Sequence, residues 1–143
     1  MVGMQPFKWT KAHTVFLPQV DAEHRNLFRL AKQLQEAVAS GAQAPRIQHE
    51  MQSLLEAIEE HFAHEEQLMK AARCESYEWH KQQHNTLRRK GRRMRAAFAA
   101  GDKDAPEDFL AFLAHWFRDH MSLTDRMMGA QLRSSDRFAT KVS

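Results

Sequence analysis

The chain has 143 residues, a size that suits one compact domain and argues against a two-domain enzyme with a separate cofactor-binding fold. Hydrophobic residues make up 43% and charged residues 27%, which excludes a disordered or collagen-like chain. The formal net charge is +3, and a single cysteine, Cys74, excludes an intramolecular disulfide, a cysteine zinc site and an iron–sulfur cluster.

Helix-forming residues dominate the sequence and strand-type alternation does not persist, so an all-α protein is predicted. Residues 1–20 are predicted to form an extended N-terminal arm. The first helix is predicted to begin near Asp21, acting as its N-cap, and to end at Ser40 and Gly41. Three further helices are predicted between Pro45 and Lys70, between Ser76 and Ala100, and between Pro106 and Gly129.

The whole chain, residues 1–143, is predicted to be a single domain. Short loops place consecutive helices antiparallel, so residues 21–130 are predicted to form an up-down-up-down four-helix bundle. Residues 131–143 are predicted to be a polar, loosely held tail. No apolar run reaches the roughly 18 residues of a membrane span, and the N-terminus has no secretion signal, so we expect a cytoplasmic protein.

Each predicted helix carries an apolar stripe at alternating three- and four-residue spacing. In the fourth helix the stripe consists of Phe109, Leu113, Trp116, His120, Leu123 and Met127. Polar side chains interrupt the stripe in all four helices. The interrupting residues are His24, His61, Glu65, His80, His84, His120 and Asp125.

These seven side chains fall at the same end of an up-down-up-down bundle. Burying them without a cation would leave several desolvated polar groups, each costing about 1 to 3 kcal/mol. A metal site is therefore predicted. The remaining histidines, and one glutamate beside the predicted ligands, are predicted to be surface or supporting groups. These residues are His64, Glu66, His13, His49 and His115.

Local spacing supports the predicted site, because residues four apart share one helix face. Two pairs have this spacing, His61 with Glu65 and His80 with His84. His120 and Asp125 are five residues apart, so either the carboxylate reaches across the helix or the helix contains a locally widened turn.

Seven ligands are too many for one ion and suit two. If both carboxylates and one oxide or hydroxide bridge a six-coordinate pair, all but one coordination position is filled. Imidazole and carboxylate suit iron, manganese or zinc. A vacant position in a dry core favours redox chemistry with a small molecule, which points to iron.

Four segments have a more specific pattern: residues 20–24 (VDAEH), 61–66 (HFAHEE), 80–84 (HKQQH) and 116–120 (WFRDH), the last followed by Asp125. Their order and spacing resemble the hemerythrin family, in particular its single-domain bacterial form, over nearly the whole chain. The resemblance implies a non-haem diiron protein that binds O₂. It also implies that His80, His84 and His120 bind one iron and that His24 and His61 bind the other iron. Glu65 and Asp125 would bind both irons.

The resemblance implies that O₂ binds at the second, five-coordinate iron, and that azide and similar small anions serve as ligand analogues. The pocket around that position is expected to be lined by Leu27, Phe62, Trp116, Phe117 and Met121. An apolar wall of this kind excludes water and protons and favours reversible binding over oxidation.

Three functions remain open. The first is reversible O₂ binding for transport, storage or delivery, without net catalysis. The second is an enzyme that reduces peroxide or nitric oxide, which the oxidisable Met121 favours. The third is an O₂ or redox sensor. The histidine-rich ligand set favours the carrier, since bundles that activate O₂ use more carboxylates.

Six of the eight residues between Arg88 and Arg95 are basic. A solvated helix face is the favoured interpretation, and an acidic protein partner is the alternative. No nucleic-acid-binding motif accompanies the run, so no nucleic acid is expected. The protein is expected to be a monomer.

Overall fold

The structure, a computed structural model, describes residues 7–135. Within this range the regular elements are helices, with no strand, which confirms the all-α prediction. The elements are α1 (Pro18–Ala39), α2 (Ala44–Ala71), α3 (Tyr77–Ala99), α4 (Ala105–Asp119), a π-helical segment (His120–Thr124) and α5 (Asp125–Arg133). The π-helical segment joins α4 and α5 without a break, so the chain forms four rods.

The four rods form the predicted antiparallel bundle, with α1 against α2 and α4, and α3 against α2 and α4. Prolines in the first turn start three of the rods, at Pro18, Pro45 and Pro106. Gly41 and Gly101, both with positive φ, follow α1 and α3. This left-handed conformation favours glycine and reverses the chain after a helix.

The N-terminal arm differs from the prediction in two ways. It contains a short 3₁₀ turn, Lys11–His13, and α1 begins at Pro18, three residues before the expected N-cap. Residues 1–6 of the predicted arm lie outside the described residues. The prediction that Asp21 caps the helix is wrong. Its carboxylate accepts hydrogen bonds from the Val15 N–H at 2.8 Å and from the Thr14 hydroxyl, so it holds the arm.

The fourth rod extends further than predicted. It ends at Arg133 instead of near Gly129, and Leu132, expected in the tail, is fully buried. Arg126 Nε donates to the Thr14 carbonyl at 3.0 Å, and Arg133 donates to the Val15 carbonyl. The arm therefore fixes the end of α5. Residues 136–143 of the predicted tail lie outside the described residues.

Two apolar clusters enclose the polar layer of the bundle. The larger fills most of the bundle, and the smaller lies under the arm and contains Val15, Val20 and Met128. On α1, His24 lies between Val20 of the smaller cluster and Leu27 of the larger one. The polar residues are thus shielded from solvent at both ends. No helix in the described part of the chain is long and apolar enough to cross a membrane.

Candidate metal centre

The π-helical segment determines where Asp125 points. It spans His120–Thr124. Of the two alternatives predicted for the spacing of His120 and Asp125, the locally widened turn is therefore correct, and the carboxylate does not reach across a regular helix. Because the segment accommodates one extra residue, every inward position beyond it shifts by one. Asp125 and Met128 are buried, whereas Leu123 and Met127, predicted in the stripe, are 65% and 52% exposed. The prediction for these two residues is therefore wrong.

The seven predicted ligand residues lie together in the polar layer, each at most 4% exposed. Their ligand atoms form two groups, and within each group the atoms lie within 4.8 Å of one another. One group contains Glu65, His80, His84, His120 and Asp125, and the other contains His24, His61, Glu65 and Asp125. The two carboxylates belong to both groups, as bridging ligands must.

His24 Nε2 lies 3.2 Å from Glu65 Oε2, within hydrogen-bond distance, but several other ligand atoms of the cluster face one another without a hydrogen-bond partner. Asp125 Oδ1 lies 2.9 Å from Nε2 of both His80 and His120. None of these three atoms has a hydrogen-bond partner within residues 7–135, and neither do Glu65 Oε1 or His84 Nε2. Buried polar atoms without partners are costly. Two atoms bound to one ion about 2.1 Å away, at right angles, lie about 3 Å apart, so metal ions fit this arrangement.

Three imidazoles are held at Nδ1, on the side away from the cluster. The pairs are His61 with Glu23 at 2.6 Å, His84 with Glu66 at 2.8 Å and His120 with Gln83 at 2.8 Å. Each Nδ1–H donates to an oxygen, which leaves Nε2 free for a metal. Glu66 and His64 were predicted to be surface or supporting groups. Glu66 supports His84, and His64 contacts Glu23, the partner of His61, at 2.7 Å.

Glu23 and Gln83 were not identified as functional residues from the sequence. Glu23 directly precedes His24, and Gln83 lies three residues after His80, so both border the inward stripe of their helix. A polar side chain at the seam between two helices, beside a predicted ligand, is the signal that could have identified them.

The imidazoles and the carboxylates of the cluster shift one another's pKa. Burial lowers the pKa of His61, but Glu65, Glu23 and Asp125 outweigh burial and raise it to about 10. Burial likewise lowers the pKa of His80, and the two cluster carboxylates raise it to about 9. Burial raises the pKa of Glu65 and Asp125, but the imidazoles hold both well below the usual range. The carboxylates are therefore ionised, as metal binding requires.

Apolar side chains cover the imidazoles directly. Phe62 stacks on His84 with ring centroids 3.8 Å apart, and Trp116 stacks on His120 at 4.0 Å. All five predicted pocket residues belong to the larger apolar cluster, and all but the half-buried Trp116 are buried. The remaining histidines, His13, His49 and His115, lie outside both ligand groups.

Comparison with known proteins shows what kind of protein has this site. Residues 15–132 match the family model described as the hemerythrin HHE cation binding domain. The chain belongs to the hemerythrin family. Bacteriohemerythrin from Aquifex aeolicus is 28% identical over 134 residues, covering 90% of this chain and 97% of the relative. Myohemerythrin from Theromyzon tessulatum is 26% identical over 121 residues, covering 85% of this chain and 89% of the relative.

The fold is also that of the hemerythrin family. A crystal structure of wild-type hemerythrin superposes with a TM-score of 0.82 at 23% identity, covering 89% of this chain and 98% of that chain. Hemerythrins hold a non-haem pair of iron ions, and the buried histidine, glutamate and aspartate cluster fits such a pair. This member of the hemerythrin family is accordingly a diiron protein that binds O₂.

Proposed function

We propose that the protein binds O₂ reversibly at one of the two irons, for transport, storage or delivery, and is not an enzyme. The observation that carries the proposal is the unequal number of imidazoles in the two ligand groups. Three imidazoles join the shared carboxylates in one group, and two join them in the other. The second group therefore has fewer ligands and leaves a position for O₂.

In this proposal the ligand set is the one that the family resemblance implies. His80, His84 and His120 would hold one iron and His24 and His61 the other, and Glu65 and Asp125, which belong to both ligand groups, would hold both. When bound, the irons supply the electrons that O₂ binding requires. Glu23, Glu66 and Gln83 orient the imidazoles through Nδ1.

The apolar wall explains why binding is reversible in this proposal. Leu27, Phe62, Trp116, Phe117 and Met121 line the O₂ pocket, and all five pack in one apolar cluster. Such a wall excludes water and protons, so these side chains would slow the loss of bound O₂ as a reduced product. The chain therefore favours release of O₂ unchanged.

Metal analysis combined with visible spectroscopy tests the proposal. We expect two irons per chain, and a charge-transfer band that appears when the anaerobically reduced protein meets air and disappears when O₂ is removed. His61→Ala removes a ligand and should lose this band, whereas His49→Ala changes an exposed histidine and should keep it. Oxidation at once to a form that binds azide, with no reversible O₂ adduct, would overturn the carrier function.

Met121 favours a second candidate, an enzyme that reduces peroxide or nitric oxide; an O₂ or redox sensor remains a third. Its flexible, oxidisable thioether is buried in the apolar wall. The amount of peroxide consumed in the presence of excess reductant separates the carrier from the enzyme. An enzyme should consume many equivalents of peroxide per protein, and a carrier should consume few. Met121→Leu removes the thioether, so a turnover rate that falls in this variant would support the enzyme.

We also propose that the basic surface of α3, defined as Arg89, Arg92, Arg93 and Arg95, contacts an acidic protein partner. These four side chains are exposed and have no ion-pair partner among residues 7–135. Arg88 differs, because it is paired with Glu59 and Glu66 at 2.9 Å. Arg92→Glu should weaken a salt-sensitive complex with an acidic protein, and Arg46→Glu should not. A complex unaffected by salt would contradict the proposal.

We further propose that the protein acts as a monomer in the cytoplasm. A lone, half-buried Cys74 suits a reducing compartment, because it has no partner for an intramolecular disulfide. Mass measurement in solution tests the monomer, and fractionation of the source cells tests the location. A stable dimer, or a protein found outside the cytoplasm, would contradict the respective proposal.

A further inference from the structure

A cleft on the surface between α1 and α2 reaches His61, one of the seven residues of the cluster. Its volume is about 410 Å³. It is lined by Ala22, Glu23, Asn26 and Leu27 from α1 and by Ala57, Glu60 and His61 from α2. Two further clefts, one between α2 and α3 and one beside Cys74, contain none of the seven cluster residues. Of these three clefts, the one between α1 and α2 is lined by a cluster residue, His61, and the other two are not.

The inner side of the cleft is formed by His61 and Leu27, which are 4% and 1% exposed. His61 Nε2 lies 2.8 Å from Glu65 Oε2, so a single imidazole separates the cleft from the cluster. Leu27 belongs to the same apolar cluster as Phe62 and Met121. A molecule that passes Leu27 from the cleft therefore enters the apolar wall beside the ligand group of His24 and His61.

Small side chains keep the outer part of the cleft open. Ala22 on α1 and Ala57 on α2 contribute only a methyl group each. Glu60, also on the cleft, is exposed and keeps its carboxylate in water. A larger side chain at either alanine would occupy the volume that now leads to Leu27, without changing a residue of the cluster.

We infer that this cleft is the route by which small molecules enter and leave the site, with the Leu27 side chain as its gate. The inference rests on the proposed function, in which the iron bound by His24 and His61 has the open position. Leu27 is packed in the apolar wall, so its side chain must change rotamer before a molecule can pass, and the gate therefore slows the passage of a small apolar molecule. Water-borne anions must shed part of their hydration at the same point.

Association rates test the route, because a change in the route alters the rates of binding and release together and leaves the equilibrium constant unchanged. Ala57→Phe fills the cleft and should slow azide binding to the diferric protein by about tenfold, with azide release slowed equally. Leu27→Ala removes the gate and should accelerate azide binding. Because Leu27 also lines the proposed pocket, only the association rate of this variant tests the gate, and its equilibrium constant is not part of the test. Ala22→Phe fills the cleft from α1, so it repeats the test if Ala57→Phe does not fold. The control is Ala111→Phe, at an exposed position of α4, and it should change neither rate.

Xenon provides a second readout that needs no iron. Crystals of the zinc-substituted protein under xenon pressure should show a xenon atom beside Leu27, since apolar cavities bind xenon and zinc undergoes no redox change. Ala57→Phe should remove that atom. Wild-type azide rates in both Ala57→Phe and Leu27→Ala would overturn the route. Absence of a reversible O₂ adduct would overturn the proposed function instead, since azide and xenon report on the cleft in either case.

Discussion

Gln83 on α3 accepts a hydrogen bond from His120 Nδ1, across the interface with the fourth rod, at 2.8 Å. The same amide oxygen accepts a hydrogen bond from the Thr124 hydroxyl at 3.0 Å. One side chain thus holds both a proposed ligand and the last residue of the π-helical segment. Because an amide oxygen only accepts, Nδ1 must carry the proton, and Nε2 is left for the metal.

Replacing Gln83 by Leu should weaken metal binding by about 10- to 100-fold, because His120 loses the acceptor that fixes its orientation and its protonation. Titration of the metal-free protein with Zn²⁺ measures the affinity. Thr124→Val is the matched control, since it removes the other hydrogen bond to the same oxygen and leaves that of His120. Equal affinities in wild type and Gln83→Leu would show that Gln83 does not support the ligand.

Much of the fold could be predicted from the sequence, because it depends on local signals. Pro45, Pro106 and the glycines after α1 and α3 indicate the helix limits within a few residues, whereas Pro18, which starts α1, was expected in the arm. The seven proposed ligand residues could be predicted to lie together because they interrupt apolar stripes at one end of the bundle. Polar residues at such positions have few alternatives to a metal site.

The parts that could not be predicted depend on contacts between distant segments. Asp21 has the residue type of an N-cap, but the donors that its carboxylate binds belong to the arm. Leu123 and Met127 continue the apolar period of α4, and only the π-helical segment turns them outward. A regular period assumes an unbroken helix, so one widened turn invalidates it beyond that point.

Metal uptake should release protons. In the metal-free protein the pKa values of His61 and His80 are raised to about 10 and about 9, because the carboxylates outweigh burial. Both imidazoles are therefore protonated at neutral pH and must lose their protons to bind metal. Calorimetric titration with Zn²⁺ in two buffers of different ionisation enthalpy counts these protons. We expect about two from this pair near pH 7.5, and fewer as the pH rises through 9 and 10.

The same pKa shifts determine how the stability of the metal-free protein depends on pH. A raised imidazole pKa contributes stability that is fully present below the ordinary value of 6.5 and is lost as the pH rises through about 9 to 10. The metal-free protein should therefore lose stability in alkali, and the metal-loaded protein much less. Denaturant unfolding at pH 7 and pH 10 measures this. Equal losses in the two forms would contradict the assignment.

Two buried glycines should respond differently to substitution by alanine. A Cβ at Gly129 would lie 2.5 Å from the Val15 carbonyl oxygen, which the backbone holds in place. A Cβ at Gly91 would lie 2.5 Å from Leu55 Cδ2, the end of a flexible side chain. Gly129→Ala should destabilise the protein by about 1 to 3 kcal/mol through overpacking. Gly91→Ala should be close to neutral, because a gain in helix propensity of about 1 kcal/mol offsets the movement of Leu55.

Denaturant unfolding of the two metal-loaded variants measures the free energies of unfolding, with wild type as reference. The fold of Gly129→Ala should survive, since a loss of about 1 to 3 kcal/mol is smaller than the roughly 5 to 15 kcal/mol by which domains are usually stable. A Gly91→Ala variant as destabilised as Gly129→Ala would show that Leu55 cannot move, and that α2 and α3 pack more rigidly than these contacts indicate.

Deleting one residue should be tolerated in the π-helical segment but not in α4. Removal of Leu123, an exposed residue of the segment, leaves His120 and Asp125 four apart, a spacing that a regular α-helix keeps on one face. Removal of Ala111, an exposed residue of α4, rotates everything beyond it by about 100° and turns both proposed ligands out of the polar layer.

Metal content and thermal unfolding of the two deletion variants, prepared in parallel, measure the difference. The variant without Leu123 should bind two metal ions and unfold within a few degrees of wild type. The variant without Ala111 should lose both ions and much of its stability, because the buried stripe of the fourth rod no longer meets its partners. If removal of Leu123 abolishes metal binding just as completely, the widened turn shapes the site itself and does more than accommodate an extra residue.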